Sequence, residues 1–360
     1  MQNNIKNKII VIGFITILVI VFLANLVVKD KKVSTSERRK LAQFPEVTIK
    51  NVISGSVISK WEKYVEDQFV VRDLLRGIKS FWSMNIFVQK DNNKLFEKND
   101  AIYKIDYPLS EKNVKKSAQK INEVYERYLK GMNVYYSIIP EKNYYLENDD
   151  HLKLNYDELQ QITQREVSEL KYIDIREGLD LDDYYRTDLH WKQEKLQDVV
   201  GIIQKRIGLE EKEIIYEMQN KGEFYGAYYG QLATNIVPDT LYVLTNETIE
   251  NCTVYNFETQ KNGSVYTENN SADKYDIFLS GATPLISIEN PNSQTDKELL
   301  LFRDSFGSSI APLLVENYRK ITLIDLRYIS SQLLGEFIEF KDQDVLFLYS
   351  TVVLNQNILK

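Results

Sequence analysis

The run Ile9 to Val28, IIVIGFITILVIVFLANLVV, constrains this chain more than any other feature. It holds no charge, and only Thr16 and Asn25 are polar. A helix rising about 1.5 Å per residue over that length spans a hydrocarbon core of roughly 30 Å, and in hydrocarbon only a helix satisfies every backbone group of a single segment. A cleaved signal peptide has a shorter apolar region ending in small residues, whereas this run leaves through Val27-Val28-Lys29-Asp30. The sequence predicts a retained transmembrane anchor over 9–28 behind a short cytoplasmic tail, 1–8. Lysines flank both ends, so charge does not fix the orientation. A short tail before a single early span usually stays in the cytoplasm, which puts the main part of the chain outside, as a single-pass cell-membrane protein.

The remainder reads as a tether over 29–50 and a folded domain over 51–360, with a helical lead-in at 51–90. The lead-in shows helical spacing in Trp61, Tyr64, Phe69, Leu74, Leu75, Ile78, Phe81 and Trp82. The C-terminal third alternates between strand and helix. Leu299 to Phe302, Ile321 to Leu326 and Val345 to Tyr349 read as strands, Ser308 to Tyr318 and Ser331 to Phe340 as helices. Such alternation predicts βαβ units, a mostly parallel sheet and a three-layer α/β domain. Residues Tyr242 to Thr267 read as strands on the sheet's edge.

Composition removes whole classes of function. The net charge of −7, from 45 basic and 52 acidic side chains, argues against a general nucleic-acid binder. Cys252 is the only cysteine, which excludes an intramolecular disulfide and a CxxC pair. His151 and His190 are the only histidines, so sites built on several His ligands are out and no metal or cofactor is expected. His151 reads as a loop residue with no role, and Asp180, Asp182 and Asp183 as a solvated acidic turn. The 24 tyrosines read as half-buried structure.

Two segments carry chemistry. In Leu300-Leu301-Phe302-Arg303-Asp304-Ser305-Phe306-Gly307 a strand enters a turn and then a helix, which sets the Ser305 hydroxyl at the carboxyl edge of the sheet. Its N–H and those of the helix's first turn would suit a developing oxyanion. A serine needs a base, and Asp188-Leu189-His190 offers an imidazole with a carboxylate two positions away. In an extended segment those two face one side, and the carboxylate fixes the tautomer. Both segments also have plain structural readings, an N-cap for Asp304-Ser305 and a satisfied buried pair for Asp188 and His190.

The blocks Asp188-Leu189-His190-Trp191 and Asp304-Ser305-Phe306-Gly307, in this order, resemble the DHHW-motif proteins of Gram-positive bacteria, SGNH-hydrolase-like relatives of alginate O-acetyltransferase domains. Glu37-Arg38-Arg39, Glu66-Asp67-Gln68-Phe69 with Arg72-Asp73, Ile139-Pro140-Glu141-Lys142 and Ile324-Asp325-Leu326-Arg327-Tyr328 fit the same family. The resemblance implies an SGNH-like three-layer αβα fold behind the anchor, with Ser305 as nucleophile, His190 as base and Asp188 as its orienter. It implies an extracytoplasmic O-acetyltransferase or esterase acting on a cell-surface polysaccharide, supplied with acyl groups by a multi-span membrane acyltransferase. The family's Gly-Gly-Asn block corresponds to Lys274 to Thr283, where Ala282 replaces the oxyanion-binding Asn. Gly281 and Thr283 are the candidate binding residues there, with Asn235 as a substitute donor, and Arg327 a candidate partner for an anionic glycan. Losing one such donor typically costs about 10²–10³ in rate. The alternative is therefore a non-catalytic glycan-binding or assembly protein on the same scaffold.

Overall fold

The computed structural model describes every residue except Met1, Thr35, Glu211, Glu213, Asn269, Asn270 and Ala272. It divides into two compact units, residues 1–92 with 229–235, and residues 93–228 with 236–360.

The first unit begins with helix Gln2–Val27, whose portion Ile5–Val27 is long and apolar enough to cross a membrane and is wholly unburied. The lead-in forms three helices, Ile49–Ile53, Ser56–Gln68 and Arg72–Phe81, the last extended by a π-turn over Trp82–Ile86. Gly55 and Val71 adopt left-handed φ at the two breaks, which is why one periodic stretch yields separate helices. An ion-pair network stitches the unit together. Both arms of Arg39 grip Asp67, with Nη1 at 2.8 Å, and Arg72 pairs with Glu37. Asp67 is pulled down to about 2, chiefly by its hydrogen bond from Arg39.

The second unit is built on an eight-stranded sheet. In chain order its strands are β1 (Val134–Ile139), β2 (Lys171–Tyr172), β3 (Thr253–Asn256), β4 (Lys261–Gly263), β5 (Leu285–Glu289), β6 (Glu298–Arg303), β7 (Lys320–Ile324) and β8 (Asp344–Ser350). Their spatial order is β4-β3-β5-β7-β6-β8-β1-β2. β7, β6, β8, β1 and β2 run parallel, while β5, β3 and β4 add antiparallel pairings along one edge. Successive side chains of a strand face opposite sides, and β6 buries both sets. Leu299 and Leu301 join one core with helix Gln197–Ile207, whereas Leu300 and Phe302 join another with helices Glu111–Val124 and Tyr156–Glu166. Continuous apolar strands covered on both faces are what a parallel sheet requires, and the result is a three-layer α/β unit.

Local details differ from the sequence reading. The helix expected from Ser308 to Tyr318 is a short α-helix, Phe306–Ile310, followed by a 3-10 turn, Ala311–Asn317, because Pro312 lacks an N–H and its ring clashes with the preceding turn. The helix expected over 331–340 shrinks to the 3-10 turn Ser331–Glu336. Of the residues between 242 and 267, only β3 and β4 reach the sheet's edge. Asp239–Thr245 instead pairs with Glu217–Phe224 as a separate ribbon.

Candidate active site

The turn after β6 owes its shape to Asp304. Its Oδ1 accepts the Phe306 N–H at 3.0 Å and its Oδ2 the Ser350 N–H at 2.9 Å, tying the turn to the end of the adjacent strand β8. The carboxylate thus serves the backbone, and Ser305 is left to face outward, half-buried. First-turn N–H groups were expected to serve as anion donors, but the fold has used them. Phe306 donates to the Asp304 carboxylate, Gly307 to the Asp304 carbonyl and Ser308 to the Ser305 carbonyl. Of the N–H groups of this turn, that of Ser305 is the one left without such an acceptor among the described residues.

Ser305 Oγ lies 2.7 Å from His190 Nε2, and His190 Nδ1 lies 2.6 Å from Asp188 Oδ1. The Asp188–His190 stretch is not extended as the sequence suggested. The Asp188 side chain curls back to accept the His190 N–H at 3.1 Å, the Asx turn that this residue type favours. Its Oδ2 accepts the Ala227 N–H at 2.6 Å. An ionised carboxylate only accepts, so Nδ1 must donate to it and Nε2 is left to accept the serine proton.

The loop before Asp188 is pinned from two sides. Lys142 Nζ donates to the carbonyls of Tyr185 (2.8 Å), Arg186 (3.0 Å) and Asp188 (2.8 Å). Asp239 takes the N–H groups of Arg186 (2.9 Å) and Thr187 (2.8 Å) together with the Thr187 hydroxyl (2.6 Å). Gly226 backs the same loop so closely that a Cβ there would sit 2.1 Å from the Thr187 carbonyl oxygen. The imidazole itself stacks on Tyr275, centroids 3.9 Å apart and 11° between planes, with Phe306 at 4.8 Å. The Tyr275 hydroxyl and the Trp191 indole N–H both donate to Ser309 Oγ at 2.8 Å. Aromatic packing of this kind fixes the ring plane on which proton transfer depends.

The other candidates have different neighbours. Gly281 ends a run of three left-handed residues, Leu279, Ser280 and Gly281, and packs against the Asp276 carboxylate. Thr283 is buried and its Oγ1 accepts from Arg303 at 3.4 Å. Arg327 sets its Nε and Nη2 on Asp325, at 2.9 and 2.7 Å, so that edge of its guanidinium is engaged. Asp325 also pairs with the fully buried Arg303 at 3.5 Å. Ala282 is exposed. Asn235 belongs to the first unit. His151 is no plain loop residue: it bonds Asp149 at 2.8 Å and stacks on Phe96 at 3.5 Å. The acidic turn 180–183 is a capping box on a 3-10 helix.

The sequence reading passed over Lys142, Tyr275 and Asp239, although Lys142 and Tyr275 sit inside blocks it had marked. A lysine beside a glutamate after an apolar strand was the available signal. Burial pushes the neighbouring Glu141 up to about 7, with Asp106 adding to the effect and Tyr228 donating to it at 3.2 Å. A carboxyl whose folded pKa is raised binds more protons folded than unfolded, so its stabilisation is full below about 4.5 and is lost as pH rises to about 7. The melting temperature of the wild type should therefore fall relative to Glu141→Gln across that window, and parallel curves would refute the assignment.

Residues 162–324 match the family model described as "DHHW protein". Among solved structures, a DHHW family protein from Eubacterium siraeum superposes with a TM-score of 0.63 at 19% identity, over 74% of this chain and 95% of its own. Bacillus cereus PatB1 gives 0.61 at 20% identity, over 75% and 99%. A PatB1 structure with a sulfonyl adduct gives 0.57 at 18% identity, over 74% and 98%. At these identities the likeness establishes the fold. No curated protein matches the chain.

Proposed function

We propose that this chain, whose residues 162–324 belong to the DHHW protein family, is a membrane-anchored, extracytoplasmic serine O-acyltransferase or esterase acting on a cell-surface polysaccharide. The observation that carries the proposal is the continuous run of contacts from Asp188 through His190 to Ser305, 2.6 and 2.7 Å long. Both lie within the reach that proton transfer demands. Ser305 Oγ attacks an acyl carbonyl while His190 Nε2 takes its proton, and Asp188 stabilises the imidazolium that forms. The Ser305 N–H is the donor left for the developing oxyanion. His190 returns the proton to the leaving group and then takes one from a sugar hydroxyl. The sugar oxygen bonds the acyl carbon, the bond to Ser305 Oγ breaks, and His190 hands its proton to that Oγ, leaving a new ester on the sugar; water in that place gives hydrolysis. The acyl group comes from a multi-span membrane acyltransferase, and the apolar helix Ile5–Val27 keeps the site beside it. The sulfonyl adduct on PatB1 is consistent with this reading, since sulfonylating reagents mark activated nucleophiles.

The test is intact-mass analysis after exposure to phenylmethylsulfonyl fluoride and, separately, p-nitrophenyl acetate. A single adduct that maps to Ser305 and is absent from Ser305→Ala is the expected result. A folded chain that takes no adduct from either reagent would overturn acyl transfer. The glycan-binding reading, which the apolar Ala282 favours, would then be tested by glycan affinity that survives Ser305→Ala.

A further inference from the structure

The helices of the first unit are amphipathic the wrong way round for a water-soluble fold. On Arg72–Phe81 and the following π-turn, the residues turned inward are polar: Ser80 is 4% exposed and Ser83 8%, while Arg72 and Arg76 engage Glu37. The opposite stripe, Leu74, Leu75, Ile78, Phe81 and Trp82, is 45–62% exposed. These positions recur at helical spacing and form one face. Ser56–Gln68 repeats the inversion, burying Asp67 while exposing Ile58, Trp61 and Val65. Leaving such stripes in water forfeits about 25 cal/mol for every Å² of apolar surface, and a continuous patch of this kind marks an interaction site.

The occupant follows from what the helices are tied to. Asn25, in the last turns of the apolar helix Gln2–Val27, accepts the Val70 N–H at 3.0 Å, in the break between the two inverted helices. Gln68 exchanges hydrogen bonds with the Lys31 backbone, 2.9 Å each way, and the Tyr64 hydroxyl donates to Asp30 at 3.0 Å. Every one of these bonds holds the helices at the level where the anchor leaves the bilayer. Exposed Lys29, Lys31 and Lys32 stand at the same level, where anionic headgroups attract them. Aromatic side chains with a polar tip, here Trp61 and Trp82, are the residues that settle at that depth.

We propose that Ser56–Gln68 and Arg72–Phe81 lie in the bilayer interface as a two-helix foot beside the anchor, their outward stripes buried among lipid acyl chains. The foot rests on the anchor reading above. It would set the height and orientation of the first unit on the membrane and would favour anionic lipid.

The chain supplies its own probes, for its three tryptophans are Trp61, Trp82 and the buried Trp191. Full-length protein reconstituted in phosphatidylglycerol vesicles is compared with the same protein in vesicles whose acyl chains are brominated. Emission from Trp61 and Trp82 should fall by about half, as expected for rings at the acyl boundary. The Trp61→Phe/Trp82→Phe double variant, which reports Trp191 alone, should not be quenched. Phe81→Glu should relieve the quenching of Trp82. A chain of intact mass that resists alkaline carbonate extraction yet shows no quenching overturns the foot and leaves the anchor standing; the stripes would then belong to a protein partner. A chain released by carbonate, or recovered without its apolar helix, defeats the anchor reading and the foot with it.

Discussion

Ser305→Ala and His190→Ala should each lower turnover of p-nitrophenyl acetate by at least about 10³-fold, and the double variant should be no worse than either alone. Groups that act as one unit fail as one unit, and these two meet at 2.7 Å. Asp188→Asn separates the roles further. The carboxylate meets the imidazole N–H on one oxygen and the Ala227 N–H on the other, so it needs acceptors on both sides. An amide offers one acceptor. With its oxygen toward His190 it confronts the Ala227 N–H with a second donor. Turned the other way it forces the proton onto Nε2, and the base is lost. The expected result is a fall of about 10³–10⁴ in rate with a protein that stays folded. Full activity in Asp188→Asn would show that the carboxylate is structural and that Ser305 is activated by another group.

The central strands β6, β7 and β8 could be read from the sequence because each is an apolar run, the pattern that a parallel sheet buried on both faces demands. All three lie within a residue or two of the ranges expected for them. The serine turn and the Asp–His segment stood out for a different reason: one of the chain's two histidines lies two positions from an aspartate and a serine follows an apolar strand, and the fold brings these two segments to 2.7 Å. What was not legible is how the second segment is held. Lys142, Thr187, Gly226 and Asp239 are spread over nearly a hundred positions, and nothing in any one stretch points to the other three. Only the fold brings them around one loop. Nor could spacing show that the lead-in helices turn their apolar faces outward, since helical periodicity marks an apolar stripe without saying what covers it.

Lys142→Met tests whether that support matters to chemistry or only to folding. The ammonium is fully buried and points its three N–H bonds at three carbonyls, with Tyr103 and Tyr228 rings 5.3 and 5.4 Å away. Burial pulls its pKa down to about 7, against the opposing pull of Asp188, Asp239 and Glu141. Methionine keeps the volume and removes every donor. Three buried carbonyls then lose a partner, each worth about 1–3 kcal/mol, while the cost of holding a buried charge disappears. The net destabilisation should be about 2–4 kcal/mol in chemical denaturation. If the lysine acts only through folding, the surviving native protein will acylate Ser305 at the wild-type rate. If it positions Asp188 and thereby His190, the acylation rate of the folded fraction drops by about 10²-fold, since a displacement near 1 Å suffices for that, while KM for the ester stays within error. We expect the second outcome. The backbone that Lys142 grips includes the carbonyl of Asp188 itself, so nothing flexible intervenes between the clamp and the carboxylate that sets the tautomer of the base.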